Sequence, residues 1–264
     1  MNAVLVATAS VALIGLVIGV LLVQVGKKFA VEVNEREAAV RDCLPGNNCG
    51  GCGFAGCDAL AAAIAKGEAP VNACPVGGDA SSVKIGKIMG VETSGEGKKV
   101  AFVKCSGDCE HTTIHSNYIG IEDCASAVAS GLNPGSCAYG CLGYGSCAKA
   151  CPFNAIRIVN GAAIVDRSMC KACGRCVEAC PKHLIELIPD TAKYIVKCSS
   201  KDRGPAVKAA CSAGCIGCRL CTKQCESGAI EVNDNLAKID YSKCVNCGKC
   251  AEKCPVKVIR QRYE

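Results

Sequence analysis

Four cysteines near the end of the chain, Cys244, Cys247, Cys250 and Cys254, are followed by Pro255 and read C-x2-C-x2-C-x3-C-P. Cys170, Cys173, Cys176 and Cys180, followed by Pro181, repeat the pattern. In such a run three closely spaced thiolates hold one iron-sulfur cube, and the fourth, pointing away, ligates the neighbouring cube of a two-cluster module. A zinc site needs only four ligands, usually two CxxC pairs a dozen or more residues apart, and is the weaker reading. Cysteines two or three residues apart are also badly placed to bridge one another. The 26 cysteines of this 264-residue chain therefore read as cluster ligands in a reducing compartment rather than as a disulfide scaffold.

A third set lies upstream. Cys49, Cys52, Cys57 and Cys74 form C-x2-C-x4-C-x16-C, with glycines at 50, 51, 53 and 56 that let the backbone wrap closely and offer N–H groups to the sulfurs. The Ala-rich stretch 58–66 predicts a short helix that carries the chain back so that Cys74 can close the cube. Zinc fits this spacing taken alone; its company in the chain favours iron-sulfur. Cys43 stands outside the pattern as a plain thiol.

The second half is an internal repeat with an offset of 74 residues: Cys124, Cys137, Cys141, Cys147, Cys151, Cys170 and Cys180 map onto Cys198, Cys211, Cys215, Cys221, Cys225, Cys244 and Cys254. Each copy carries a strand pair between its cysteine runs, AIRIVNGAAIVD with an Asn160-Gly161 turn and AIEVNDNLAKID. Ligand exchange then assigns Cys137, Cys141, Cys147 and Cys180 to one cube of the first module, and Cys151, Cys170, Cys173 and Cys176 to the other. In the second module Cys215, Cys218, Cys221 and Cys254 hold one cube, and Cys225, Cys244, Cys247 and Cys250 the other. Cys211 competes with Cys218 on the first module's C-x3-C-x5-C-x3-C spacing; the commoner spacing favours Cys218. Glu226 replaces the proline that follows the other runs and makes that edge more polar. The alternating stretch KVAFVK at 99–104 predicts a strand that delivers Cys105. Cys105, Cys109 and Cys124, with His111 and His115 spaced to share a helical face, are either structural groups or a further metal site. The cofactor count is five 4Fe-4S cubes, or six if that site is filled.

The elements that position these thiols follow. Residues 3–25 carry no charge and, at 1.5 Å each, are long enough to cross a hydrocarbon core of about 30 Å; no Lys or Arg precedes them and Lys27 and Lys28 follow. This predicts a membrane anchor over 1–26, single-pass, with the N-terminus outside and the bulk of the chain cytoplasmic. A charged linker or juxtamembrane helix over 27–42 comes next, then a 4Fe-4S domain (43–78), a Gly/Ser/Lys-rich linker (79–97), a strand-and-cysteine segment (98–133) and two ferredoxin-like modules (134–190 and 191–264). The fold class expected is α+β: a single N-terminal transmembrane helix, a small four-cysteine iron-sulfur domain and two tandem two-cluster ferredoxin-like modules.

Composition agrees. Aromatics are 4% with no Trp, so each module has a small apolar core and leans on bound metal to fold. The formal charge of +6 counts cysteine as neutral; five cubes at about −2 each bring the loaded chain to roughly −4. Lys171, Arg175, Lys182, Lys243, Lys249 and Lys253 are scattered with no aromatic stacking platform between them, which argues against nucleic acid. A minority of these cations suit docking of an acidic electron carrier. No G-x-G-x-x-G fingerprint, P-loop or nucleophile constellation is present, so no complete active site resides in the chain.

In order, the apolar N-terminal stretch, NCGGCGFAGC with Cys74, CAYGCLGYGSCAKACPFNAI and two CxxCxxCxxxCP runs resemble the RnfB family, the B-subunit of the Rnf ion-translocating electron-transport complex, over nearly the whole chain. Each motif alone is less specific, since the four-cysteine domain also resembles those of corrinoid iron-sulfur proteins. The resemblance implies a subunit that takes electrons from reduced soluble ferredoxin and passes them to membrane and flavin-bearing partners, ending at NAD, with Na+ or H+ translocation coupled. The alternative is a membrane-anchored polyferredoxin serving a hydrogenase or a corrinoid-protein reductase.

Overall fold

A computed structural model describes residues 2–28, 34–93, 95, 97–113, 115, 118–131, 133 and 135–262. Its elements are α1 (Asn2–Lys28), α2 (Glu35–Cys43), α3 (Cys57–Ala65), α4 (Gly78–Met89), β1 (Lys99–Val103), α5 (Cys124–Ala129), α6 (Ser146–Lys149), β2 (Ile156–Val159), β3 (Ala162–Val165), α7 (Arg175–Glu178), β4 (Ile185–Pro189), β5 (Tyr194–Val196), α8 (Gly204–Ala210), α9 (Leu220–Lys223), β6 (Ile230–Asn233), β7 (Leu236–Ile239), α10 (Lys249–Glu252) and β8 (Ile259–Gln261).

The expectation of a transmembrane helix is corrected. Among the described residues no helix is long and apolar enough to cross a membrane. The fold class is α+β, built of iron-sulfur domains.

Helices α2, α3 and α4 pack around Val40, Leu60, Ile64 and Ile85, all fully buried. Asn34 caps α2 by accepting the Arg36 N–H at 3.1 Å, with Glu35 and Glu37 in the first turn and Arg41 in the last, an arrangement that suits the helix dipole. Helix α4 falls where a linker is expected. Its composition conceals an apolar stripe, Ile85 and Ile88, and its small residues allow close packing: the Ser81 hydroxyl donates to the Cys43 carbonyl at 2.8 Å. Gly86 abuts the turn beyond the helix, where a Cβ would come 2.6 Å from the Val91 carbonyl oxygen.

The two downstream modules share one architecture. Each holds a tight antiparallel hairpin, β2-β3 (Ile156↔Val165) and β6-β7 (Ile230↔Ile239). Asn160 and Gly161 turn the first at φ 48° and 77°, and Asp234 and Asn235 the second at 48° and 60°, as a two-residue hairpin turn with both φ positive requires. Each module is also closed by a strand pair far apart in sequence, β1-β4 (Lys99↔Pro189) and β5-β8 (Tyr194↔Gln261). The expected strand over 99–104 is thus present, but it belongs to the first module's sheet, so that module reaches back past residue 134.

Asp190, just after β4, ties the modules together. Its N–H donates to the Lys98 carbonyl at 2.7 Å, and its carboxylate accepts from Arg167 Nη2 at 2.7 Å and Arg262 Nη2 at 3.4 Å. Arg262, at the end of the second module, also donates to the carbonyls of Pro189 and Ala192 at 3.2 and 3.3 Å. The Arg167 hydrogen bond, outweighing burial, holds Asp190 below its ordinary pKa. Asp190→Ala should destabilise the folded chain by about 2–3 kcal/mol in anaerobic thermal unfolding at pH 7. Because the folded pKa is depressed, that contribution is complete above the unfolded value of about 3.9 and disappears as pH falls through the folded one, so the gap between variant and parent should close below about pH 4.

Candidate iron-sulfur centres

In the N-terminal domain Cys57 opens α3, and the Asn48 side chain accepts its N–H at 2.8 Å, fixing the glycine-rich loop that carries Cys49 and Cys52. Cys74 is buried and accepts the Gly77 N–H at 3.3 Å. Burial pushes its thiol up, with nearby Cys52 and Cys57 adding to the rise. Cys43 packs into the helical core. The domain meets the first module edge to edge: a Cβ on Gly51 would collide with the Cys173 carbonyl oxygen, and Cys49 lies close enough to raise the Cys173 thiol, after the larger effect of burial.

In the first module Cys151, Cys170, Cys173 and Cys176 come together. Burial first, then Cys170, Cys173 and Cys151, push Cys176 up to about 12. N–H groups reach the sulfurs from separate elements: Ala101 of β1 to Cys170 at 3.4 Å and Ala155 to Cys151 at 3.4 Å. The other half differs from expectation. Cys141, Cys147 and Cys180 border one cavity, and the fourth cysteine lining it is Cys124, not Cys137. Helix α5 delivers it. Asp123 caps α5, accepting the N–H groups of Ala125 and Ser126 at 2.9 and 3.1 Å, and takes the Ser146 hydroxyl at 2.6 Å, while Ser146 Oγ accepts the Cys124 N–H at 2.8 Å. The clamp sets Cys124 beside the start of α6. The irregular C-x3-C-x5-C spacing has the same cause: Cys137 faces a different cavity.

In the second module Cys215, Cys218, Cys221 and Cys254 border one cavity. Cys225, Cys244, Cys247 and Cys250 form the other group, burial and then Cys244, Cys247 and Cys225 pushing Cys250 up to about 11. Cys225 stands apart: burial would raise it, but the Ser227 hydroxyl and the N–H groups of Ala229 and Ile230 together bring it below the ordinary value. Glu226 is ion-paired with Lys249.

Four of these groups share one local device. A residue in the left-handed region, Gly145, Gly174, Arg219 or Gly248, turns the chain into a one-turn helix whose second residue is the ligand candidate, Cys147, Cys176, Cys221 or Cys250. Three of the four are glycines, as that conformation favours.

The segment around Cys105, Cys109 and Cys124 is split. Cys124 joins the first module; Cys109 is exposed, its sulfur near Gly161. Cys105 lines a cavity with Cys137, Cys198 and Cys211, a grouping that the linear spacing conceals. His111 and His115 share no helical face: His111 Nδ1 lies 2.6 Å from Asp108 Oδ1, and His115 Nε2 lies 2.7 Å from Ser136 Oγ.

The donor set fits a cluster better than a single ion. Among the described residues no three His, Cys, Asp or Glu side chains converge to hold one metal ion. The thiols instead line three cavities in sets of four, as expected when each sulfur ligates a different corner of a cube.

Comparison with known proteins supports iron-sulfur domains in these three places. Residues 44–76 match the family model "Putative Fe-S cluster", and 132–181 and 214–258 each match a "4Fe-4S dicluster domain". The B-subunit of the ion-translocating oxidoreductase complex of Methanosarcina acetivorans is 46% identical, over 94% of this chain and 95% of that protein. The B-subunit of the Na+-translocating ferredoxin:NAD+ oxidoreductase complex of Acetobacterium woodii is 46% identical, over 98% and 78%. The proton-translocating counterpart of Clostridium ljungdahlii is 43% identical, over 98% and 93%. The chain belongs to this family. As a B-subunit of the ion-translocating oxidoreductase complex, it is an iron-sulfur electron-transfer protein that works with the other subunits of that complex.

The placement of Cys124 and Cys109 makes opposite forecasts for this B-subunit. In anaerobically prepared protein, Cys124→Ala should lose about four irons per chain, whereas Cys109→Ser should keep them all, as read by iron and acid-labile sulfide analysis.

Proposed function

We propose that this chain is the electron-accepting relay of a ferredoxin:NAD oxidoreductase that moves Na+ or H+, taking electrons from reduced soluble ferredoxin and passing them to membrane and flavin-bearing subunits. One observation carries the reading: the cysteine groups of the N-terminal domain and of the first module follow one another closely through the molecule. Cys49 acts on Cys173, and Cys147 of the neighbouring group acts on Cys176.

The cubes supply one-electron storage at low potential, and the protein fixes their spacing and electronics. Five are assigned to Cys49, Cys52, Cys57 and Cys74; to Cys124, Cys141, Cys147 and Cys180; to Cys151, Cys170, Cys173 and Cys176; to Cys215, Cys218, Cys221 and Cys254; and to Cys225, Cys244, Cys247 and Cys250. Buried N–H groups aimed at sulfur stabilise negative charge there and raise the local potential. The Ser227 hydroxyl beside Cys225, 3.5 Å away, and the Glu226–Lys249 pair distinguish the last group.

Lys98, Lys99 and Lys171 line an open cavity of about 620 Å³ between the N-terminal domain and the first module, beside Cys52, Cys74 and Cys170. A cationic rim next to two cluster sites suits an acidic donor. Exposed apolar side chains along α1, among them Leu13, Leu16 and Leu22, support membrane association.

Mixing the anaerobic full-length chain with reduced ferredoxin should bleach its absorbance near 400 nm, about 20 irons or more per chain being present. The rate should fall with added salt and with Lys171→Glu. An iron-loaded chain that ferredoxin leaves oxidised refutes the donor assignment. Near-equimolar zinc without iron refutes the relay.

A further inference from the structure

We propose that Cys105, Cys137, Cys198 and Cys211 hold a sixth four-iron cube at the junction of the two ferredoxin-like modules, which relays electrons between them. The proposal rests on the relay reading above.

Its first support is an equivalence that only the fold makes visible. Lys104, just past β1, donates its N–H to the Leu184 carbonyl at 2.7 Å; Lys197, just past β5, donates to Val258 at 3.0 Å. The next residue is Cys105 in one module and Cys198 in the other. Each sulfur accepts the N–H two residues on, from Gly107 at 3.3 Å and Ser200 at 3.4 Å. Each also accepts the N–H of a ligand candidate of its own module, Cys141 at 3.4 Å and Cys215 at 3.3 Å. Cys137 and Cys211 stand four residues before those same cysteines. Each module therefore contributes the same two thiols, and all four border one cavity.

Sulfurs of the two modules converge there. A Cβ built on Gly107 would lie 3.5 Å from Cys105 Sγ and 3.7 Å from Cys211 Sγ. The backbone is stitched across the junction: Thr112 bridges Cys211, Ser212 N–H donates to the His111 carbonyl at 3.0 Å, and the Ser199 hydroxyl donates to the Lys104 carbonyl at 2.9 Å.

The cavity also holds an unexplained group. Ser106 Oγ lines it, buried and with no hydrogen-bond partner, the sole such side-chain atom among the described residues. A buried hydroxyl left unpaired is costly, and a cluster sulfide would accept its hydrogen bond. Lys197 lines the same cavity, a cation beside the place an anionic cube would occupy. A single ion is a poor occupant, because no three donors converge on one point.

The site lies between cubes already assigned. Cys105 and Cys198 each take a backbone hydrogen bond from a cysteine of the adjacent cube, Cys141 and Cys215. In one transfer the cube accepts one electron from a reduced neighbour, which is oxidised, and is reoxidised by the next; no bond is made or broken.

The anaerobically purified full-length chain should contain about 24 irons, six cubes of four. Cys198→Ala and Cys211→Ala should each contain about 20, and the double variant no fewer, because both remove one cube. The remaining electron paramagnetic resonance signals should persist. After mixing with reduced ferredoxin, second-module cubes should be reduced more slowly than in the parent. Ser106→Ala is the mild variant: it should keep all the iron and make one midpoint potential more negative. About 20 irons in parent and variants alike would overturn the sixth cube while leaving the five-cube relay standing. Stoichiometric zinc at the site, or a Cys105–Cys211 disulfide by mass spectrometry, would overturn it equally. A parent with no iron would overturn the relay reading itself.

Discussion

Sulfur taken out of water controls this fold. The cores of both ferredoxin-like modules are built from cysteines as much as from aliphatic side chains, Cys147, Cys170 and Cys176 packing with Val100, Leu184 and Ile185 in one, and Cys215, Cys221 and Cys254 with Val258 and Ile259 in the other. Burial is the leading reason that Cys105, Cys147 and Cys221 rise to about 11. At neutral pH an empty cradle of this kind holds thiols, and the thiolate becomes the stable form only when a cation replaces the proton. Iron binding and folding are then one equilibrium. The strands run to three to five residues and could not supply a sufficient core unaided.

The remaining local structure serves that constraint. One-turn helices are too short to be stable alone, so α6, α7, α9 and α10 are held by the cysteine each presents. The tight hairpins bring small residues against the cradles: Gly143 approaches the Gly161 carbonyl in one module, and Gly217 the Asn235 carbonyl in the other, so closely that a Cβ would sit 2.6 and 2.9 Å from the oxygen. The same close approach at equivalent places shows that the modules are copies in packing as well as in ligand order.

Much of this is legible from spacing alone. The C-x2-C-x2-C runs, the hairpin turns at Asn160-Gly161 and Asp234-Asn235, the strand before Cys105 and the helix after Cys57 are all local, and local rules reach them. Three features are not local. Helix α4 hides in a Gly/Ser/Lys-rich stretch because its buried face consists mainly of serine, glycine and a single deep isoleucine. A module boundary near residue 134 falls too late because β1 pairs with β4 across the whole first module. The sequence offset of 74 aligns Cys124 with Cys198, whereas the strands align Cys105 with Cys198, since the first module carries extra chain between its opening strand and its first cysteine run.

That extra chain resolves the puzzle of the spare cysteines. In the second module the compact C-x2-C-x2-C run brings Cys215, Cys218 and Cys221 to one cavity with Cys254, while Cys198 and Cys211 line another. The first module has no cysteine at the place of Cys218; Leu142, Gly143 and Tyr144 follow Cys141 directly. Helix α5, clamped through Asp123 and Ser146, inserts Cys124 from a distance instead. Supplying the third thiol from outside leaves Cys137 free, as Cys211 is free in the other copy. Two modules that complete their own cradles by different routes thus reach the same surplus, one thiol after the opening strand and one ahead of the first run. The surplus thiols face one another across the junction. A cube held there by two sulfurs from each side would link the modules' folding as well as their electrons, because neither module alone could retain it.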